Sequence, residues 1–485
     1  MSDSSSRVER LIEQTAAAVE EGQYPFKIYS DEEVHEEELQ RLFTRTWQFL
    51  GHTSELQEPG DYVRRYIGQD PYILTLDETE EYHAFLDACM HRGAQFCTAD
   101  KGNTSHFRCP YHGWTYKNDG TLQGMPYKTE SYQDLDPEAI QLEEAHLETF
   151  NGLIFGRILD EGPSLDEYLG DFKWYLEMMF NITEGGMTVV TDPHRSVAKH
   201  DWKTAAQNFG GDNYHVLSTH QSVFESEHLE ADGPWETLPS LRERKGDYNH
   251  SVVTENASGS LMINRGETTH LGYPEEIADY YNPELSEEQR ELFSQSIYNF
   301  TTLYPNTTFI HSISGGGWGG PWAQIRTWLP RGPGETEVMS WWLVPEEFAD
   351  DEEFMERSYR GLETTSPGGT FESDDLTIWT GIADSSKSIT LEARESVGNM
   401  QQGMPGMCSD LTEVDDPLFG PGKVIRYGGY YSEEGARNHL RFWHRYMSMG
   451  RPTGVDTERT QPGEEQPVAD GCGSSECPDP EDTDE

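Results

Sequence analysis

Four residues early in the chain have the types and spacing to hold a metal cluster. One residue separates Cys89 from His91, two separate Cys109 from His112, and seventeen lie between the pairs. Each pair offers one thiolate and one imidazole from a tight turn, so two such turns facing each other present four ligands. A [2Fe–2S] centre with two cysteines on one iron and two histidines on the other needs that set, and the imidazoles raise its potential above that of an all-cysteine cluster. A Cys2His2 zinc site uses the same residue types. Zinc modules, however, gather two Cys in one half and two His in the other, whereas each half is mixed here.

Arg92-Gly93 follows the first pair, and Pro110-Tyr111 and Gly113-Trp114 surround His112. In this detail the segment resembles Rieske [2Fe–2S] domains. Rieske proteins of respiratory complexes carry an extra cysteine in each loop, joined as a disulfide, and those places are Ala94 and Tyr111 here. The resemblance is therefore to the soluble, lower-potential oxygenase and ferredoxin type. The chain has six cysteines, too few over this length for a disulfide framework. Cys97 and Cys408 read as buried small hydrophobes, and Cys472 and Cys477 as incidental residues of an acidic tail.

A small ferredoxin would end soon after this segment, but most of the chain follows and contains NFGGDNYHVLSTH. His215 and His220 are five apart, close to one helical turn, and can face one side of an irregular or kinked helix. Two histidines and one distant carboxylate make the facial triad of non-haem Fe(II) oxygenases. The H-X4-H spacing alone is a weak signal. Its surroundings, Trp202-Lys203, Asn208-Phe209 and Asp212-X-X-His215, resemble the catalytic-domain motif of ring-hydroxylating oxygenases position by position.

That resemblance implies several roles. Asp212 becomes a bridging carboxylate that hydrogen-bonds His215 and, across a subunit boundary, the cluster ligand His112 of a neighbour; Asn208 lies beside it. The segment GGTFESDDLTIW resembles the stretch whose second aspartate binds iron, which makes Asp375 the third ligand and Asp374 the fallback. Phe209, Val216, Leu217, Phe309 and Phe371, with Asn208, are candidates for the pocket wall. There are departures as well: Gln207 stands where many members carry glutamate, Asp87 where asparagine is common, and Leu376-Thr377 where Gly and Glu or Asn are frequent. None of these is a ligand.

The implied activity is that of a terminal oxygenase component. Electrons would arrive singly from a reductase, directly or through a ferredoxin, and both atoms of dioxygen would go to adjacent carbons of an aromatic substrate, giving a cis-dihydrodiol. The resemblance also implies a homotrimer of large subunits or, with a separate small subunit, an alpha3beta3 assembly. A Rieske monooxygenase or demethylase is the first alternative, and an electron-transfer protein without the iron site the second.

The elements that must position these residues alternate in texture. Helical apolar spacing covers Ser6 to Glu21 and a second helix from Asp31 to Trp47. From Gly60 to Phe155 short alternating runs such as DYVRRYIG and NGLIFGRI predict a small β-domain. Strands return at MTVVTDPHRSVAKHDW, a helix is predicted over Lys203 to Leu217, further strands at TTFIHSIS, WAQIRTWL and EVMSWWLV, and a last helix from Glu433 to Met449. The acidic stretch from Pro274 to Gln295 reads as a surface elaboration. The expected class is α+β: N-terminal helices over 1–47, an all-β [2Fe–2S] domain over 48–160, a catalytic domain with an antiparallel sheet flanked by helices over 161–450, and a disordered acidic tail over 451–485.

Acidic residues outnumber basic ones 88 to 35, a formal net charge of −53 spread along the whole length. This argues against a nucleic-acid partner and for a surface kept hydrated in concentrated salt, hence a halophilic, salt-accumulating source. Lacking a signal segment or a membrane-length apolar run, the chain is expected in the cytoplasm. Gly315, Gly317 and Gly320 spell G-X-G-X-X-G, yet a strand-like run follows rather than a helix, so the dinucleotide reading fails. The stretch reads instead as a hairpin turn, and NAD(P)H would be oxidised by another protein. Asn256 and Asn306 match glycosylation sequons in letters only.

Overall fold

The computed structural model describes residues 6–222, 249–313, 320–406, 411–427 and 432–452. Residues 1–450 form one compact unit and 451–485 a second, of which only Arg451 and Pro452 are described. Residues 453–485 of the tail expected to be disordered, with Cys472 and Cys477, and also Cys408, Gly315 and Gly317, lie outside the described residues. The fold is α+β, and no described helix is long and apolar enough to cross a membrane.

Two helices open the chain. Ser6 caps Arg7–Glu20, its hydroxyl accepting from the Glu9 N–H, and Val8, Leu11, Ile12 and Val19 bury one stripe. Asp31 caps Glu32–Arg41 by accepting from the N–H groups of Glu33 and Val34. This helix stops at Arg41, short of the expected Trp47. The hydroxyls of Thr44 and Thr46 bond back to the carbonyls of Gln40 and Leu42, and the Gln48 amide donates to the Phe43 carbonyl. Side-chain bonds of this kind compete with continued helix.

Short antiparallel sheets follow. Strands Asp61–Ile67, Asp70–Leu76, Tyr82–Leu86 and Lys101–Asn103 form one, and His106–Arg108, Thr115–Lys117 and Leu122–Gly124 another. The remainder is built on a ten-stranded antiparallel sheet with the spatial order Met187–Val189, Glu335–Pro345, Pro321–Gly332, Thr307–Ile313, Ser296–Leu303, Ala257–Ile263, Asn249–Val253, Lys423–Tyr427, Leu411–Glu413. His194–Ala198 also pairs with Glu335–Pro345.

Helices cover both faces of this sheet, so alternate residues along each strand enter different cores. Phe300, Arg326 and Trp328 point toward Phe209 of the helix Trp202–Phe209. Phe309 and His311 point the other way, toward Phe180 of Lys173–Phe180 and Phe293 of Glu287–Gln295. The acidic stretch therefore corrects the expectation of a surface elaboration. Ile277, Leu285, Leu292 and Phe293 are buried in the main core, and the acidic residues occupy the outer side of a helix capped by Ser286.

Candidate metal centres

The two cluster loops are built alike. The Cys89 N–H donates to the Ala94 carbonyl at 3.0 Å and the Cys109 N–H to the Trp114 carbonyl at 2.7 Å. Four residues after each cysteine a glycine N–H returns to the cysteine carbonyl, Gly93 at 2.7 Å and Gly113 at 3.0 Å. Both glycines have left-handed φ, 71° and 74°, where a Cβ would be strained. Asp87 shapes the first loop, its Oδ1 accepting from the N–H groups of Phe96 and Cys97. An asparagine Oδ1 could do the same, so this departure leaves the loop intact.

Cys89 and Cys109 are buried among Phe96, Phe107, Trp114 and Tyr116. His91 and His112 are half-buried with ring centroids 4.5 Å apart, and His91 stacks on Trp114. The Nδ1 atoms of both histidines are buried without a hydrogen-bond partner among the described residues. Orphaned buried nitrogens are costly unless another group binds them. Two buried thiols and two orphaned imidazole nitrogens fit a [2Fe–2S] cluster. The Tyr116 hydroxyl lies 3.3 Å from Cys89 Sγ and accepts from the Met90 N–H at 3.1 Å.

The second constellation forms where the expected single helix over Lys203 to Leu217 breaks. Trp202–Phe209 ends at Gly210, Gly211 takes a φ of 126°, and a separate short helix, Val216–Thr219, is bracketed by His215 and His220. Asp212 governs the restart. Its Oδ1 accepts from the N–H groups of Tyr214 at 3.1 Å and His215 at 3.3 Å, and its main-chain carbonyl lies 2.6 Å from His215 Nδ1. Asn208 Nδ2 is 3.3 Å from the same nitrogen, whereas Asp212 Oδ2 is 3.6 Å away.

That arrangement turns His215 Nε2 toward Asp375, on the long helix Thr370–Ser386. Asp375 Oδ1 lies 3.6 Å from His215 Nε2 and 3.5 Å from His220 Nε2, and one ligand atom from each residue falls within 4.8 Å of the other two. Two ligands each about 2.1 Å from one ion and about 100° apart are separated by about 3.2 Å, so the group fits a shared cation better than direct hydrogen bonds. Two imidazoles with one carboxylate are the donor set of a non-haem Fe(II) site. Asp374, the fallback, points instead to His220 Nδ1, at 3.5 Å.

Burial pushes the Asp375 carboxyl up to about 7. It also pulls His220 down to about 4, with His215 beside it adding to the effect. For His215, burial acts downward, but Asp212 and Asp375 outweigh it and the imidazole is raised.

The family model for the Rieske [2Fe-2S] domain matches residues 46–149, and that for the ring hydroxylating alpha subunit (catalytic domain) matches residues 166–449. The chain belongs to the ring-hydroxylating oxygenase alpha subunits. It is similar to the alpha subunit of benzene 1,2-dioxygenase of Pseudomonas putida F1, 32% identical over 91% of this chain and 94% of that one. A similar match is to the N,N-dimethyl phenylurea N-demethylase alpha subunit of Sphingobium sp. YBL2, 32% identical over 92% of this chain and 95% of the relative. Among solved structures, naphthalene 1,2-dioxygenase from Rhodococcus sp., bound to indole, superposes with a TM-score of 0.81 at 34% identity over 91% and 99% of the two chains. This alpha subunit is an enzyme, a Rieske-type oxygenase.

Of the expected pocket wall, the ring of Phe371 lies 5.0 Å from that of His220, and Phe209 packs between Phe300, Trp328 and Trp379. Val216 is half-buried next to His215. The side chain of Leu217 lies outside the described residues. Phe309 is a correction: it packs against Phe172 and Phe180 on the opposite face of the sheet. Strand alternation decides the matter, because Phe309 pairs with Thr301 while the face toward Phe209 carries Phe300 and its partner Ile310.

Sequence reasoning missed Tyr298 and Phe300 of this alpha subunit. Phe300 lies 6.2 Å from Phe209, and the Tyr298 hydroxyl accepts from Asn213 Nδ2 at 2.8 Å. Alternation along Ser296–Leu303 was the available signal, but which face it served needed the register. Gln207 receives the Tyr29 hydroxyl at 2.7 Å, a bond that a neutral amide accepts without adding a charge to the interior.

Proposed function

We propose that this chain is the terminal oxygenase component of a multi-protein system and dihydroxylates an aromatic substrate to a cis-dihydrodiol. The carrying observation is the convergence of His215, His220 and Asp375 beside the ring of Phe371. In this reading Cys89, His91, Cys109 and His112 hold the [2Fe–2S] cluster and those three residues hold one Fe(II). Bound there, the two centres supply single electrons and dioxygen activation respectively.

The chain's own groups do the positioning. The Asp212 carbonyl accepts from His215 Nδ1–H and fixes the ring, which is how imidazole ligands are commonly oriented. Phe209, Phe300 and Phe371 keep water from the reacting face and offer flat apolar surface to an arene. A purely electron-carrying protein would have no use for the second constellation.

Asp212 is the bridge to the cluster of a neighbouring copy. It lines an open cavity with Tyr29, Asn208, His215 and Asp375. Ile378, which lines that opening, is 50% exposed, and Tyr214, beside His215, 58%. On the cluster side Tyr111 is 60% exposed. Two bare apolar rims, one beside each centre, suit a head-to-tail ring, and a closed ring of three copies is the proposed assembly. A small subunit, and a ferredoxin or reductase that oxidises NAD(P)H, complete the system. The net charge of −53 supports a salt-accumulating cytoplasm as its setting.

A second reading, oxygen insertion with N-demethylation, is favoured by the similarity to the phenylurea demethylase. Turnover of naphthalene, biphenyl and a phenylurea under labelled dioxygen separates the two. Incorporation of both atoms of one O2 into an arene dihydrodiol supports dihydroxylation. A single labelled atom in a hydroxylated or dealkylated product supports the second reading.

A further inference from the structure

Arg326 lies in the middle of strand Pro321–Gly332 on the face toward the iron site, 1% exposed. Its Nη1 donates to Glu372 Oε2 at 2.7 Å, its Nε donates to Gln324 Oε1 at 2.9 Å, and its Nη2 donates to the Thr365 carbonyl. Glu372, 4% exposed, stands in the first turn of helix Thr370–Ser386, three residues before Asp375. The guanidinium carbon also sits 5.4 Å from the ring centroid of Phe209 and 5.7 Å from that of Trp328. One planar cation thus ties together the sheet, the segment entering the Asp375 helix, that helix itself and a pocket aromatic.

Stability alone is a weak reason for such a pair, because well-packed apolar residues stabilise an interior at least as well as a buried ion pair. Geometry is a better reason. A guanidinium fork fixes three acceptors in one plane, which a lysine ammonium cannot reproduce. Glu372 faces Asp375 from one turn away on the same helix, and the charges of Arg326 and Glu372 act on Asp375 in opposite senses.

We propose that Arg326 and Glu372 are positioning residues that hold Asp375, and with it Phe209, in register with His215 and His220. This rests on the reading of those three residues as the Fe(II) ligands. Neither member of the clamp touches the metal.

The test uses full-length protein with its cluster intact, stripped of mononuclear iron by chelation and titrated anaerobically with Fe(II). Wild type, Arg326→Lys, Glu372→Gln and the double variant Arg326→Met/Glu372→Gln are compared. The double variant removes both charges together and so guards against simple misfolding. Three readouts accompany each titration: the Fe(II) dissociation constant, the EPR signal of the nitric oxide adduct, and the thermal midpoint. The clamp predicts Fe(II) binding weaker by about 10- to 100-fold and an altered nitrosyl signal in all three variants, with the reduced-cluster signal unchanged. Variants that match wild type in iron affinity and nitrosyl signal, and differ only in thermal midpoint, overturn the proposal. Wild type that takes up no mononuclear iron would instead overturn the iron-site reading beneath it.

Discussion

The main-chain carbonyl of Asp212 lies 2.6 Å from Nδ1 of His215, whereas its carboxylate Oδ2 is 3.6 Å away. The ring of His215 is therefore oriented by backbone, while the Asp212 carboxylate accepts from the N–H groups of Tyr214 and His215. Changing the carboxylate should separate electron delivery from metal binding. Asp212→Asn keeps the capping oxygen and should retain both metal centres while turnover falls by at least about 100-fold. Asp212→Ala loses the cap too, at a cost of about 1 kcal/mol. Iron analysis with single-turnover kinetics checks this, and near-normal turnover in either variant would remove Asp212 from the electron path.

The acidic pair on helix Thr370–Ser386 is resolved by direction. Asp375 Oδ1 faces both Nε2 atoms, whereas Asp374 faces only His220 Nδ1. Asp375→Asn should lose the mononuclear iron and all oxygenation and keep the cluster spectrum. Asp374→Asn should keep most of both. A reversed pattern in the metal content of the two proteins would move the ligand assignment one residue back.

Tyr116 offers a handle on the cluster, since its hydroxyl approaches Cys89 Sγ at 3.3 Å. Hydrogen bonds to cluster sulfur stabilise the reduced form. At about 1 kcal/mol for the bond, Tyr116→Phe should lower the potential by about 40 mV for one electron. Redox titration followed by EPR measures the shift, and an unchanged or higher potential would show that the hydroxyl does not serve the sulfur.

Behind the catalytic helix lies a buried charge group. Lys203 Nζ donates to Glu38 Oε1 at 2.6 Å and lies 2.8 Å from Asp201 Oδ1, and Trp202 and Trp443 also donate to Glu38. Lys203→Met leaves two carboxylates facing one another in the interior, and a loss of about 3–5 kcal/mol is expected. Chemical denaturation would register it. A change below about 1 kcal/mol would mean the site re-solvates easily.

The surface charge makes its own prediction. At 0.1 M salt repulsion acts over about 10 Å, and at 1 M over about 3 Å. With a net charge of −53, the thermal midpoint should climb steadily between 0.1 and 2 M potassium chloride. A flat profile would leave the halophilic reading without support.

Legibility in the sequence followed the range of the interactions. Cys89, His91, Cys109 and His112 could be read as a set because tight loops fix local geometry within a few residues. His215 and His220 stood out through their neighbours, but the break at Gly210-Gly211 that aims them did not. Asp375 came only by resemblance, since its approach to the histidines depends on how a distant helix packs. Phe309 was misplaced, and Phe300 and Arg326 missed, for one reason: alternation reveals two faces of a strand without saying which one meets the helix Trp202–Phe209. The stretch from Pro274 to Gln295 misled because its acidic residues masked the buried Ile277, Leu292 and Phe293.

Metal content tests the two-centre reading most directly. Anaerobically purified protein should hold about three irons per chain, with a rhombic EPR signal from the reduced cluster, and His215→Ala should drop the count to about two without disturbing that signal. Zinc in place of iron, or about two irons in both proteins, would contradict it.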